Sequence, residues 1–191
     1  MHKTSFFSGL ALASTLLLAA APAQAQQQLV PTQSSIEFTA KQMGVPMQGQ
    51  FKKFEAQVAF DPAKLAASRI RFTVDTGSAT MGARETDAEL PKPAWFSAVK
   101  FPQATFESSS IKALGGGKFD VAGKLTIKGS AVDVTVPVTL AQAGATTTAT
   151  GTLPIKRLAF KIGDGEWADT SMVADEVQVK FKLALTGVGK V

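Results

Sequence analysis

The chain has 191 residues, 45% hydrophobic and 18% charged, with 20 Lys and Arg against 15 Asp and Glu, a formal net charge of +5. It contains no cysteine and one histidine, His2, which excludes disulfides, a lipid anchor on cysteine and Cys–His catalysis. The basic residues are scattered rather than clustered, a pattern that gives weak attraction to anionic headgroups but no nucleic-acid footprint.

His2 and Lys3 precede an apolar run from about Phe6 to Ala21, and Ala21 to Ala25 reads APAQA, the small-residue ending of a secretory signal peptide. The run is too short to serve comfortably as a membrane span. Cleavage after Ala25 removes residues 1–25 and leaves 26–191 as one domain outside the cytoplasm, long enough to bury a real core. Lys3 leaves with the signal, so the balance falls to 19 basic against 15 acidic residues, +4. His2 leaves too, and with it go Ser-His-Asp catalysis and the usual zinc sites. No cofactor motif is recognisable and no metal site is expected.

After the signal the chain reads as strand after strand. SSIEFTAK, VPMQGQFKKF, EAQVAFDP and RIRFTVDT come first, then Val99 to Ile111, Lys118 to Ile127 and Thr146 to Ile162. The cleanest alternation is in AVDVTVPVTL, with Val132, Val134, Val136, Val138 and Leu140 on one face and Asp133, Thr135 and Thr139 on the other. EVQVKFKLAL repeats it with Val177, Val179, Phe181, Leu183 and Leu185. A period of two means a half-buried antiparallel strand, and Pro137 falls on the non-valine face, where an edge or bulge tolerates it. Turn signals at Gly44, Asp61-Pro62, Gly115 to Gly117, Lys128-Gly129, Gly144 and Gly163 to Gly165 separate the runs. Gly115 to Gly117 reads as a hairpin turn, not a phosphate loop, because no helix and no Lys-Ser/Thr pair comes after it. Eight or nine strands in one domain must close or stack, and an up-and-down barrel removes their free edges.

Two short helical signals interrupt the strands, Pro62 to Ala67 and Ala83 to Leu90. The second lies in RETDAELPKPAWF, where Pro91 and Pro93 end the helix and stiffen the crossing to the next strand. Arg84 and Asp87 stand at i, i+3 and either pair on the helix surface or face a polar headgroup. The acids of GDGEWADTSMVADE miss the spacing of a calcium loop and read as a solvated connection, with Trp167 a rim or core aromatic. Phe38, Phe51, Phe54, Phe60, Phe72, Phe101, Phe106, Phe119, Phe160 and Phe181 spread over nearly every strand. In a sandwich they form the core; in a barrel they line a tunnel.

From about Ser35 to Thr186 the chain resembles the YceI-like family of periplasmic lipid-binding proteins. The resemblance is carried by IEFTAKQMGVPMQGQFKKFEAQVAFDP, SATMGARETDAEL, WFSAVKFPQATFES, VAGKLTIKGSAVDVTVPVTL and KRLAFKIG, in that order. It implies an all-β fold, a lipocalin-like antiparallel up-and-down β-barrel of about eight strands with one or two short helices. It also implies an elongated apolar cavity for a polyisoprenoid or another long-chain lipid. Three places depart from the family pattern. Gln42 stands where a histidine is frequent, the Arg-Asp pair before the short helix becomes Thr86-Asp87, and Arg-x-Asp-Phe-Gly becomes Arg157 to Lys161. These positions are placed to orient a headgroup, so the departures bear on headgroup identity more than on the fold.

The expected ligand-lining residues are Phe38, Phe51, Phe72, Val74, Phe106, Leu125 and Phe160, with Asp87, Trp95 and Phe96 in a lid or plug. The expected partner is a long-chain isoprenoid (quinone or prenyl phosphate type) or acyl lipid, with transient membrane contact and a homodimer both compatible. Ten buried methylene equivalents at about 0.8 kcal/mol each give about 8 kcal/mol, near micromolar affinity before ordering costs. The rival readings are a fatty-acid-type binder, a structural or partner-binding barrel with a filled core, and, most distant, an enzyme, since no nucleophile–base pair is visible.

Overall fold

The computed structural model describes residues 27–190; the signal-peptide reading of residues 1–25 lies outside them. Eleven strands form one antiparallel sheet: β1 (Gln28–Leu29), β2 (Ser35–Gln42), β3 (Val45–Phe51), β4 (Phe54–Ala59), β5 (Arg69–Asp75), β6 (Ala79–Thr80), β7 (Gln103–Gly115), β8 (Lys118–Ile127), β9 (Ser130–Ala143), β10 (Thr146–Lys156) and β11 (Glu176–Thr186). One α-helix, α1 (Arg84–Glu89), and several 3-10 turns complete the described chain.

Traced as continuous runs of chain, the eleven strands make eight walls. The 3-10 turn Pro31–Gln33 interrupts β1 and β2, Lys52 and Lys53 separate β3 from β4, and the turn Thr76–Ser78 separates β5 from β6. Each half-wall pairs in its own register: β3 with β2 through Ile36↔Phe51, β4 with β5 through Phe54↔Val74, β3 with β6 through Phe51↔Ala79. β11 pairs with both β1 and β2, which joins the last wall to the first. The sheet therefore curls round on itself, and among the described residues β1 runs beside β4 without a ladder between them. There the side chain of Gln27 substitutes for a ladder, donating to Phe60 O at 2.6 Å and accepting from Phe60 N at 2.9 Å.

Hairpin geometry agrees with the sequence signals. Met43-Gly44 and Lys128-Gly129 put both central residues at positive φ, the two-residue turn whose twist matches its strands. Gly115 to Gly117 is indeed a hairpin, between β7 and β8. Two strand expectations are shortened. Val99 is outside β7 and 98% exposed, because Lys100 N and Phe101 N both donate to Ser97 O and hold a turn there. β10 stops at Lys156, because Arg157–Phe160 winds into a 3-10 turn ended by left-handed Lys161. Pro137 sits on the exposed face of β9, and the β9–β10 ladder ends at Thr139, two residues short of the proline that has no N–H to give.

Alternation sends Val136, Val138 and Leu140, and Val177, Val179, Phe181 and Leu183, to the inside. One end of the barrel carries the β2–β3 tip, the 81–102 connection and the 157–175 loop. A buried core joins these covers to the strands beneath: Leu90, Phe96, Phe160 and Ile162 from the covers, Ala79, Ile127 and Ile155 from the strands.

Candidate functional site

The barrel encloses an elongated cavity of about 600 Å³, within the size range of small-molecule sites. Its wall is apolar nearly throughout, with Phe72, Val74, Phe106, Leu125 and Phe181 on the strands and Phe60 edge-on to Phe119 at the far end, ring centroids 5.4 Å apart. The polar lining residues gather at the covered end: Lys41 and Gln42 of β2, Glu85, Thr86 and Glu89 of α1, and Arg157. Thr147, deep in the barrel, is the exception. Lys41, Gln42, Glu85 and Glu89 are both on the lining and exposed to solvent, which places the mouth between the β2–β3 tip and α1.

Eight of the ten residues singled out from the sequence lie on this cavity: Phe38, Phe51, Phe72, Val74, Trp95, Phe96, Phe106 and Leu125. Phe51 packs on Phe38 at 5.4 Å and on Phe96 at 5.6 Å, so the wall and the cover share one aromatic row. Trp95 lines the lumen from the cover, 5.5 Å from Trp167, which reaches the same rim from the other loop.

Two residues depart from expectation. Phe160 is only 1% exposed and belongs to the core beside the cavity, because the 3-10 turn after β10 carries it away from the lumen face. Asp87 faces neither the lumen nor Arg84. Its carboxylate accepts from Thr80 Oγ1 and from Met81 N, both at 2.6 Å, and so fastens α1 to the end of β6. The Thr80 hydroxyl, then the Met81 amide, hold the Asp87 pKa below its ordinary value of 3.8, against a smaller opposing effect of burial. A depressed folded-state pKa contributes stability above the ordinary carboxylate range and loses it as pH falls through the folded value. Asp87→Asn should therefore flatten part of the loss of stability below about pH 4, read by urea titrations at stepped pH. An unaltered acid limb would remove Asp87 from this role.

Arg157 is the residue that sequence reasoning undervalued, since it entered only as part of an altered motif. Its side chain is 1% exposed and all five donors reach backbone carbonyls: Nε to Ala174, Nη1 to Ile162 and Gly163, Nη2 to Trp167 and Val173. Burial pushes its pKa down, and the charge of Asp175 partly offsets this. The only sequence signal was an arginine at the end of an apolar strand before an irregular loop. The loop acids serve local ends: Asp169 accepts from the amide and hydroxyl of Ser171, and Asp175 accepts from Leu158 N. Among the described residues, no three His, Cys, Asp or Glu gather as a metal-holding group.

The two covers are joined to each other. Gly163 N donates to Ala94 O at 2.8 Å, and Lys128 Nζ bonds the carbonyls of Ala94 and Lys161. Trp95 is thus backed by the loop that Arg157 clasps.

A family model described as a YceI-like domain matches residues 27–185. A UPF0312 protein of Vibrio parahaemolyticus is 34% identical over 144 residues, 73% of this chain and 72% of that one. Among solved structures, Burkholderia cenocepacia BcnA aligns with a TM-score of 0.79 at 53% identity, covering 82% of this chain and 98% of that one. A polyisoprenoid binding domain from Saccharophagus degradans aligns with a TM-score of 0.69 over 84% of this chain and 98% of its own, at 15% identity, a likeness of fold.

Proposed function

The chain belongs to the YceI-like family, and on that premise we propose that it is a periplasmic binding protein that carries a long-chain amphiphilic lipid, a polyisoprenoid ahead of other classes, inside the barrel. The observation that carries this reading is the cavity: an elongated apolar lumen with its polar lining collected at one end. That arrangement suits one molecule with an apolar chain and a polar head. Tail burial supplies the affinity and the mouth sets orientation. The polyisoprenoid-binding description of the Saccharophagus domain supports the ligand class. A binding role rather than catalysis agrees with a lumen whose wall presents hydrocarbon to its contents.

At the mouth Glu85 and Lys41 balance and Glu89 is engaged by Lys92, so the charges there accept a polar head without selecting its charge. Met43 and Val45, 68% and 59% exposed on the β2–β3 tip beside the mouth, support brief contact with a bilayer during loading. Organic extraction of the protein purified from the periplasm, followed by mass spectrometry, tests the reading. A near-stoichiometric isoprenoid supports it, a fatty acid moves it to acyl lipids, and repeated recovery of empty protein refutes it.

Trp95 gives a kinetic test. Trp95→Ala removes a large apolar contact from the cover, and affinity changes within one site fall mostly on release. Release should be about tenfold faster, equivalent to about 1.4 kcal/mol. Fluorescence of Trp95 is read in a Trp167→Phe background, because the two indoles are in contact. Unchanged release together with indifferent fluorescence would reduce the cover to an ordinary packed connection.

A further inference from the structure

We propose that three glycine–phenylalanine pairs set the bore of the lumen, and with it the preference for a methyl-branched chain over a straight one. The inference rests on the lipid-binding reading and concerns which chain is held. Gly49 faces Phe38 across β2 and β3, and Gly151 faces Phe181 across β10 and β11. Gly123 on β8 lies diagonal to Phe106 on β7, one step along the same face from Leu125. A Cβ on Gly49 would stand 2.2 Å from Phe38 Cζ, on Gly151 2.4 Å from Phe181 Cζ, and on Gly123 2.6 Å from Phe106 Cζ. No side chain is tolerated at such distances, so each ring lies back along the wall in the space a side chain would fill.

All three rings are on the cavity lining; Phe181 and Phe38 stand on the paired strands β11 and β2, and Phe106 on β7, four strands from β11 along the sheet. Glycine inside a strand is destabilising relative to alanine, and here that cost recurs wherever one of these rings must lie flat. A ring displaced from its glycine has only the lumen to turn into. A straight acyl chain needs less width than an isoprenoid with its recurring side methyls, so the reclined rings matter most for the branched ligand.

Gly49 is the position to change. Every close neighbour of its added Cβ is a Phe38 ring atom, whereas Gly123 and Gly151 would also meet the backbone oxygens of Glu107 and Pro137, each at 2.4 Å. Purified protein is titrated with geranylgeraniol and with a straight-chain alcohol of the same carbon number. Gly49→Ala should weaken the branched alcohol about tenfold while leaving the straight one within about twofold, the scale at which a pocket discriminates small apolar groups. Adding Phe38→Leu to Gly49→Ala shortens the displaced side chain and should restore the branched alcohol. If Gly49→Ala does not fold, Phe38→Leu alone carries the test and should shift the ratio further toward the branched alcohol. An unchanged ratio, or equal losses for both alcohols without rescue, overturns the inference while the lipid-binding reading stands. A wild-type protein that binds neither alcohol overturns both.

Discussion

An Arg157→Met protein should unfold about 10–15 °C below its parent, a loss of about 3–5 kcal/mol for a domain of this size. Hydrogen bonds from a charged donor contribute about 1.5–3 kcal/mol each, but five sharing one side chain do not add. Relief of the desolvated guanidinium recovers part of the loss, because a buried cation is itself unfavourable. The remainder is the effect on five carbonyls, of Ile162, Gly163, Trp167, Val173 and Ala174, that lose their common donor at once. Some of them can reach water only if the 157–175 loop lifts. Arg157→Lys should also be defective, by about 2 kcal/mol or more, since an ammonium has three donors and no planar fork. Urea titrations of all three proteins give the comparison. A Met variant within about 1 kcal/mol of the parent would show that the loop is held by its apolar contacts instead. If the loop does lift, the support behind Trp95 goes with it, and lipid release should quicken even where the barrel stays folded.

The legible part of this molecule is the part governed by local periodicity. A strand such as Ser130–Ala143 declares itself because Val132, Val134, Val136, Val138 and Leu140 alternate with polar residues, and the structure keeps that face inward. Hairpins were legible because Met43-Gly44 and Lys128-Gly129 demand one backbone conformation. The lumen residues were legible only with the family resemblance, since alternation turns an aromatic inward without separating a sandwich core from a tunnel wall. Phe160 misled because its phase was counted past Lys156, where the strand had ended. Asp87 misled for a different reason. Its partners, Thr80 and Met81, lie before the helix and were invisible to an i, i+3 rule that looks only within it. Arg157 was hardest, because its five acceptors are main-chain carbonyls of an irregular loop, and carbonyls carry no residue identity to read. The glycines of the Gly–Phe pairs had the same defect: their role depends on a ring on another strand.

Placing a carboxylate in the middle of the lumen should have the largest effect on binding. Phe72 lies on the cavity wall, stacked on Phe54 at 5.8 Å and paired across the ladder with Phe106. The Arg71–Glu107 ion pair beside it lies on the outer face, more than half exposed, and offers nothing inward. An aspartate at Phe72 would thus face hydrocarbon, far from the polar groups of the mouth. At neutral pH it must either keep water in the lumen, which a lipid tail would have to displace, or give up its charge; either should weaken binding about a hundredfold, about 2.7 kcal/mol. Desolvation raises the pKa of such a group. The variant is therefore least stable and binds least well above that raised value, and both properties should recover partly as pH falls through it. Phe72→Asn supplies the control, because it is polar without titrating in this range, and Phe72→Leu should bind nearly as the parent does. A folded Phe72→Asp protein that takes up prenyl lipid with parental affinity at pH 7 would mean that the chain does not pass this point. The recovery at lower pH, present in the aspartate variant and absent in the asparagine one, is what separates a charge in the tail's path from general damage to the wall.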